Sequence, residues 1–318
     1  MLRTRFITAV LAASAAACLT VLGGCGQYSP AYLKPLSTKT RALIAEKGMA
    51  EDAPILIRVF KAESELEVWK QREDGHFYHL KTYPICSYSG GLGPKLKQGD
   101  KQAPEGFYLV SMDQLNPRSK YYLSFDLGFP NAFDRAYGRT GANLMIHGDC
   151  TSSGCYAMTD GVMEEIFSLV REALVGGQAN IQVHAFPFRM TEANLASQQK
   201  HEWYDYWRNL KEGYDYFEAA KLEPKITVCE KRYLVNAVFE DAAARYNAAS
   251  KCPRYQKGQI VAFKPLPKPK ATEVATTSKP LGSVLNLKFG PAKPAYTAFT
   301  LGPATPDLPA VKKPVAKK

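Results

Sequence analysis

The chain has 318 residues, 46% of them hydrophobic and 22% charged, a composition that excludes wholesale disorder and leaves room for one large domain or two modest ones. Its net charge is +11, but the surplus sits at the ends: ten Lys against Glu273 and Asp307 from Lys264 to Lys318, and Arg3 and Arg5 at the start. The central body is close to neutral, which excludes a basic globule shaped for nucleic acid.

In chain order, residues 1–24 read as an export signal. Arg3 and Arg5 form its basic start, and Phe6 to Leu22 supply the apolar run. That run is short for a spanning helix, which needs about 20 residues. It ends in Leu22-Gly23-Gly24-Cys25, which resembles a bacterial lipobox and makes Cys25 the expected lipidation site. An ordinary cleaved signal with a chance Cys25 and an uncleaved anchor are the competing readings. Gly26 rather than Asp follows Cys25, so the expected location is the periplasm of a Gram-negative bacterium, with a lipid anchor in the outer membrane. Residues 25–53 are expected to be a linker.

From Pro54 to Phe188 the pattern is mostly strand. Ile55–Phe60, Glu65–Trp69, Phe77–Leu80, Gly106–Val110, Tyr121–Phe125, Asn143–Ile146 and Ile181–Phe186 are β-rich runs separated by polar turn residues. The clearest helix starts at an N-cap of Thr159 or Asp160 and runs to Leu174, with Met163, Ile166, Phe167, Val170 and Leu174 on one face and Gly176-Gly177 as its stop. Many strands with one such helix predict a mainly β (α+β) fold, a sandwich or barrel. A helical appendage is expected over 189–263: Thr191 caps a helix to about Leu210, a shorter segment covers Tyr214–Lys221, and Tyr233–Ala249 reads as helix from its Ala content. Its many aromatic residues suit packing, with a stacking wall for sugar rings as the alternative. From Lys264 onward ten of the 21 prolines alternate with Lys, which predicts an extended basic tail.

Seven Cys require an accounting. With Cys18 in the signal and Cys25 lipidated, five remain, so an oxidising compartment leaves one thiol free. Cys229 and Cys252 lie outside the chemically dense region and are the expected disulfide. Cys86 and Cys150 form a further possible pair, with no geometric argument for it from sequence.

The densest reactive stretch is His147-Gly148-Asp149-Cys150-Thr151-Ser152-Ser153-Gly154-Cys155, directly after a predicted strand. Three readings are open. Cys150 and Cys155 could form a redox or structural pair. His147, Cys150 and Cys155 could bind metal, although that spacing is not a familiar zinc pattern. Alternatively, His147 activates Cys155 as a nucleophile, with Gly154 permitting a turn whose N–H groups face a developing oxyanion.

The same stretch resembles the active-site signature of the L,D-transpeptidase catalytic domain (the YkuD family), a His-Gly element, a short loop, then Ser-x-Gly-Cys. It is most similar to the YafK-type branch. GDKQAPEGFY (Gly99 to Tyr108), YPICSYSGGLGPKLKQGD and FDRAYGRTG carry the likeness along Pro54–Phe188. The resemblance implies Cys155 as nucleophile, His147 as base, Ser152 as the Ser of the motif, Gly154 at the oxyanion turn, and neither metal nor organic cofactor. This sequence departs from the pattern at Ser153, where typical members have His, and at Ala157, where they have Arg or Asn. Ser153 is kept as a substrate-binding candidate. Arg135 and Arg139 are candidates for holding a substrate carboxylate, since Arg pairs bidentately with such groups. His184, on a strand, reads as structural.

The implied substrate is a peptidoglycan stem peptide, attacked at a diaminopimelate-linked amide through a Cys155 thioester. The branch resemblance implies hydrolysis that frees a wall-attached outer-membrane lipoprotein; transpeptidation is the alternative. A non-catalytic wall-binding module is the reading from another class. No nucleic-acid partner is expected.

Overall fold

A computed structural model describes residues 30–265; the expected export signal, Cys25 and the expected tail beyond Pro265 lie outside the described residues. Two five-stranded sheets form the framework. The first holds β1 (Ile55–Phe60), β2 (Glu65–Gln71), β3 (Phe77–Pro84), β5 (Gly106–Val110) and β10 (Ile181–Phe186), in the order β3-β2-β1-β10-β5. The second holds β4 (Ser87–Tyr88), β6 (Leu115–Asn116), β7 (Ser124–Asp126), β8 (Met145–His147) and β9 (Tyr156–Ala157), in the order β4-β9-β8-β7-β6.

Side-chain alternation explains how the layers stack. Ile55, Ile57 and Val59 of β1 enter a core shared with Phe125, Ile146 and Tyr156 of the second sheet. At the alternate positions Leu56 joins a separate cluster with Phe217, and Phe60 joins another with Phe107, Phe186, Trp207 and Tyr214. Strand β1 is therefore buried on both faces, which is why ILIRVF is apolar nearly throughout. Its one charge, Arg58, is buried but paired with Glu67 at 3.0 Å and Glu218 at 2.6 Å.

Three helices frame this. Helix α1 (Thr38–Glu46) is capped by Ser37, whose hydroxyl accepts the Thr40 N–H. Leu36, Ile44 and Met49 are in the main core, so residues 36–49 of the segment expected as a linker are part of the fold. Helix α2 (Ala132–Ala136) is a short turn with a reciprocal Asn131–Asp134 capping box. Helix α3 (Asp160–Val175) starts at the Thr159 cap, whose side chain accepts the Val162 N–H, and ends at Gly176. Met163, Ile166, Phe167 and Val170 are fully buried on its inner face, and each such side chain contributes roughly 1.5–3 kcal/mol.

The appendage differs from its sequence reading. Thr191 caps only α4 (Glu192–Ala196). The chain then turns, and α5 (Tyr204–Ala220) runs as one helix through the break expected near residue 211. Its aromatic stripe is packing: Trp207 and Phe217 are inaccessible to solvent. Tyr233–Ala249 is not helical. The region forms the hairpins β11 (Ile226–Cys229) with β12 (Arg232–Val235), and β13 (Ala237–Phe239) with β14 (Tyr255–Lys257). The Cys229–Cys252 disulfide joins them, and Glu230 and Lys231 donate backbone N–H groups to Ser250 and Ala248. These cross-links fix extended and turn geometry where Ala content alone favours helix.

Gly213 inside α5 has a packing reason. A Cβ there would lie 2.4 Å from the Phe107 ring, so the missing side chain lets the helix sit directly on β5. Gly213→Ala is expected to destabilise by about 1–3 kcal/mol through overpacking, although Ala is the better helix former. Thermal melting of the two proteins checks this.

Candidate active site

Strand register brings the reactive groups together. In β7 and β8, Ser124 lies opposite His147 and Asp126 opposite Met145. In β8 and β9, Ile146 lies beside Tyr156 and His147 beside Ala157. Residues opposed across strands share a face, so Phe125, Ile146 and Tyr156 enter the core. Ser124, Asp126, Met145, His147 and Ala157 line the opposite face. Cys155 continues that row one step before β9, next to Met145, whose N–H donates to Cys155 Sγ at 3.4 Å. The thiol's other partner is the Asn143 carbonyl at 3.7 Å. Cys155 is the free cysteine among the described residues and is partly exposed.

His147 is held by its neighbour's backbone. Its Nδ1 lies 2.6 Å from the Gly148 carbonyl oxygen. A carbonyl only accepts, so Nδ1 carries the proton and the Nε2 lone pair is left to act as a base. The Tyr121 ring covers the imidazole, with centroids 4.7 Å apart. Burial lowers the His147 pKa, outweighing the Gly148 carbonyl and Asp149, which favour the cation. Burial also raises the Cys155 thiol; Asp126 adds to that, against the Met145 N–H and Lys95. Both shifts favour the neutral pair over thiolate–imidazolium. Proton transfer from Cys155 to His147 during the attack, rather than a pre-formed ion pair, fits these two directions.

The turn before Cys155 is fastened by two hydroxyls. Ser152 Oγ accepts the Cys155 N–H at 3.2 Å and donates to the Cys155 carbonyl at 2.7 Å. Gly154, with φ at +106°, adopts a conformation that glycine tolerates best, and its N–H donates to Ser89 Oγ. Both amides expected to face an oxyanion are thus occupied in this structure, and a substrate oxygen competes with Ser89 and Ser152 for them.

The Cys86–Cys150 disulfide spans 64 positions and ties the His147–Cys155 loop to the start of β4. Cys86 N–H donates to Ala157 O, and Cys150 N–H to Met158 O. Cys150 is therefore neither a redox partner of Cys155 nor a metal ligand. Among the described residues, no group of three His, Cys, Asp or Glu is placed to hold a metal ion.

The remaining candidates separate. Ser153 is exposed on the turn. Arg135 is exposed and donates to the Pro130 carbonyl, without a hydrogen bond to the Cys155 loop. Arg139 is not free for a substrate carboxylate. It is buried, paired with fully buried Asp134 at 2.7 Å, and its guanidinium lies over Phe133 and Tyr206. Releasing it would strand Asp134 uncompensated in the interior. His184 is fully buried among Phe107, Phe186 and Phe217, and burial pushes its pKa down to about 3.

Sequence reasoning missed Tyr121, Ser89, Lys95 and Asp126. Their separations from Cys155 carry no motif; the available signal was the predicted strand ending at Phe125, whose next residue is a carboxylate. Lys95 is buried and paired with Asp100, which also accepts the Leu96, Lys97 and Gln102 N–H groups. Asp126 has no ion pair among the described residues, and burial pushes its pKa up to about 6. A carboxyl raised in the folded state adds stability below its ordinary value of 3.8, and that stability is lost as pH rises through about 6. Asp126→Asn keeps the Oδ1 acceptor for Gly128 N–H. It is expected to raise the Tm at pH 7.5 and to leave it unchanged at pH 3, as read by melting curves at both pH values.

The family model for the L,D-transpeptidase catalytic domain (YkuD) matches residues 54–183. The Escherichia coli K12 protein YafK, which bears an L,D-transpeptidase name, is 46% identical over 198 residues, 62% of this chain and 80% of YafK. Among solved structures, the helical cell shape determining protein Pgp2 from Campylobacter jejuni aligns over 57% of this chain and 68% of its own, at 20% identity and TM-score 0.35. Bdellovibrio bacteriovorus Bd1075 aligns over 59% and 65%, at 20% identity and TM-score 0.32. With the His147–Cys155 pair set on one face of its second sheet, and with that identity over four fifths of YafK, the chain is an enzyme of the L,D-transpeptidase (YkuD) family, whose members act on peptidoglycan.

Proposed function

We propose that the protein hydrolyses diaminopimelate-linked amides in peptidoglycan, releasing a covalently attached lipoprotein. The observation that carries this reading is geometric: a free, partly exposed Cys155 on the same sheet face as His147, whose Nδ1 is anchored on Gly148 O so that Nε2 is left as the base. Nε2 takes the thiol proton as Sγ attacks the carbonyl carbon. The tetrahedral intermediate then collapses, the C–N bond breaks, and the imidazolium returns its proton to the leaving amine. That leaves a Cys155 thioester. Water, deprotonated by the same nitrogen, attacks the thioester carbonyl; the C–S bond breaks, the sulfur takes the proton from the imidazolium to regenerate the thiol, and the stem peptide leaves as a carboxylate. An amine in place of water gives transpeptidation.

The expected setting is the periplasmic face of a membrane, with Cys25 lipidated. Two disulfides in the described residues support an oxidising compartment. Metabolic labelling with a fatty acid tests the anchor: Cys25→Ser should lose the label, and retention would refute lipidation at that residue.

Intact-mass analysis of muropeptides carrying a lipoprotein fragment, with an added amine acceptor and Cys155→Ala alongside, tests the reaction. Cys155-dependent release of the fragment to water supports hydrolysis. Fragment-free product joined to the amine makes the enzyme a transpeptidase. No Cys155-dependent change refutes both and leaves a wall-binding module.

A further inference from the structure

The catalytic face carries one charge for which the mechanism has no use. Asp126 sits in the same cross-strand row as Met145 and Cys155, two strands from the nucleophile. Neighbouring strands lie about 4.8 Å apart, so the two backbones are roughly 9–10 Å apart. Oδ1 accepts the Gly128 N–H at 2.7 Å, while Oδ2 has neither a hydrogen bond nor an ion pair among the described residues. Oδ2 is not sealed in the interior either, since the residue is partly exposed. Lys95, the cation whose charge acts on Cys155, is paired with Asp100.

In the free enzyme this carboxylate is a disadvantage twice over. It is half-desolvated without a partner, and its charge opposes thiolate formation at Cys155. Groups that reduce stability in a site commonly have their partner in the substrate. The partner that fits is a cation on a short arm beside the attacked carbonyl.

We infer that Asp126 is a specificity residue that binds the free distal ammonium of the diamino acid whose carbonyl Cys155 attacks. This rests on the proposed substrate class. A diaminopimelate residue carries its second amine beyond three methylenes, a length that bridges the two-strand separation. The distal carbon also bears a carboxylate, so with the ammonium turned to Oδ2 and that carboxylate turned to solvent the pairing offsets the Asp126 charge and weakens its opposition to the Cys155 thiolate. The correct substrate thereby eases its own attack, whereas an amine-free or acetylated side chain leaves the thiol as it was. The titratable groups of this row are Asp126 from β7, His147 from β8 and Cys155 before β9; Lys95, whose charge favours the Cys155 thiolate, is already paired with Asp100.

The experiment follows Cys155 alkylation by iodoacetamide across pH in full-length protein, which needs no turnover. It compares no ligand, a stem tripeptide ending in diaminopimelate, and the same tripeptide with its distal amine acetylated. In wild type the free-amine tripeptide is expected to shift the alkylation profile to lower pH, and the acetylated one not to. In Asp126→Asn the unliganded profile is expected to lie already at lower pH, with neither tripeptide moving it further. Affinity for the free-amine tripeptide should fall about tenfold to a hundredfold in the variant, with affinity for the acetylated one unchanged. Equal responses to the two tripeptides in wild type, or an unaltered preference in Asp126→Asn, would overturn the assignment. Failure to release a lipoprotein fragment would instead count against the proposed reaction, because alkylation and binding are read without it.

Discussion

Replacing His147 with Gln is expected to lower kcat by about 10²–10⁴-fold while leaving KM nearly unchanged. The physical reason is the protonation state of the pair. Burial lowers the imidazole pKa and raises that of the thiol, and both shifts oppose a thiolate before substrate arrives. Without Nε2, attack must wait for rare spontaneous ionisation. Cys155→Ala should be at least as severe, and the double variant no worse than Cys155→Ala alone, because the two residues act as one unit. The wild-type kcat profile should lose activity on the acid side only below the ordinary histidine range, since activity needs neutral His147. Steady-state rates on a defined muropeptide over pH 4–9 read all of this. A His147→Gln variant within fivefold of wild type would remove the base assignment.

Removing the Cys86–Cys150 disulfide is expected to weaken both the fold and the site. The bridge closes a loop of 64 positions, for which chain entropy suggests about 4 kcal/mol and typical measurements about 2–4 kcal/mol. For a body of this size that is a Tm loss of roughly 5–15 °C. The catalytic loop has a further burden: Asp149 and Cys150 lie at φ of +69° and +47°, each costing roughly 1–2 kcal/mol without glycine. The disulfide, the Asp149 N–H bond to Asp160 Oδ1 and the Cys150 N–H bond to Met158 O hold that conformation. Cys86→Ser with Cys150→Ser should therefore lower kcat about tenfold or more as the His147–Cys155 geometry loosens. The Cys229→Ser, Cys252→Ser pair is the control. That bridge joins the hairpin region, so its loss should lower the Tm with kcat retained. Equal kcat losses in the two double variants would show that the effect is not specific to the catalytic loop.

Much of the framework was legible before any coordinates. Strands β1, β5 and β10 fall where β-rich runs between turn residues place them. Helix α3 starts and stops at the Thr159 and Gly176 signals. Such elements declare themselves because their periodicity and caps are local. The two-residue strands β4, β6 and β9 have no period to read and exist only because longer neighbours offer an edge. Tyr233–Ala249 shows the opposite failure: Ala-rich composition was overruled by a disulfide and by long-range backbone pairing.

The site divides in the same way. His147, Ser152, Gly154 and Cys155 stand within nine residues of one another, so their motif and the type of chemistry were readable from the chain alone. Tertiary structure decided the rest. It took Cys150 for Cys86, buried Arg139 against Asp134, anchored His147 on a carbonyl, and occupied both turn amides with serine hydroxyls. It also set Asp126 in a row with Cys155, 29 positions away in sequence. Local spacing specifies which reactive groups a chain can bring to one loop. Strand register and burial, which depend on residues far apart, specify which partners and which charges those groups meet.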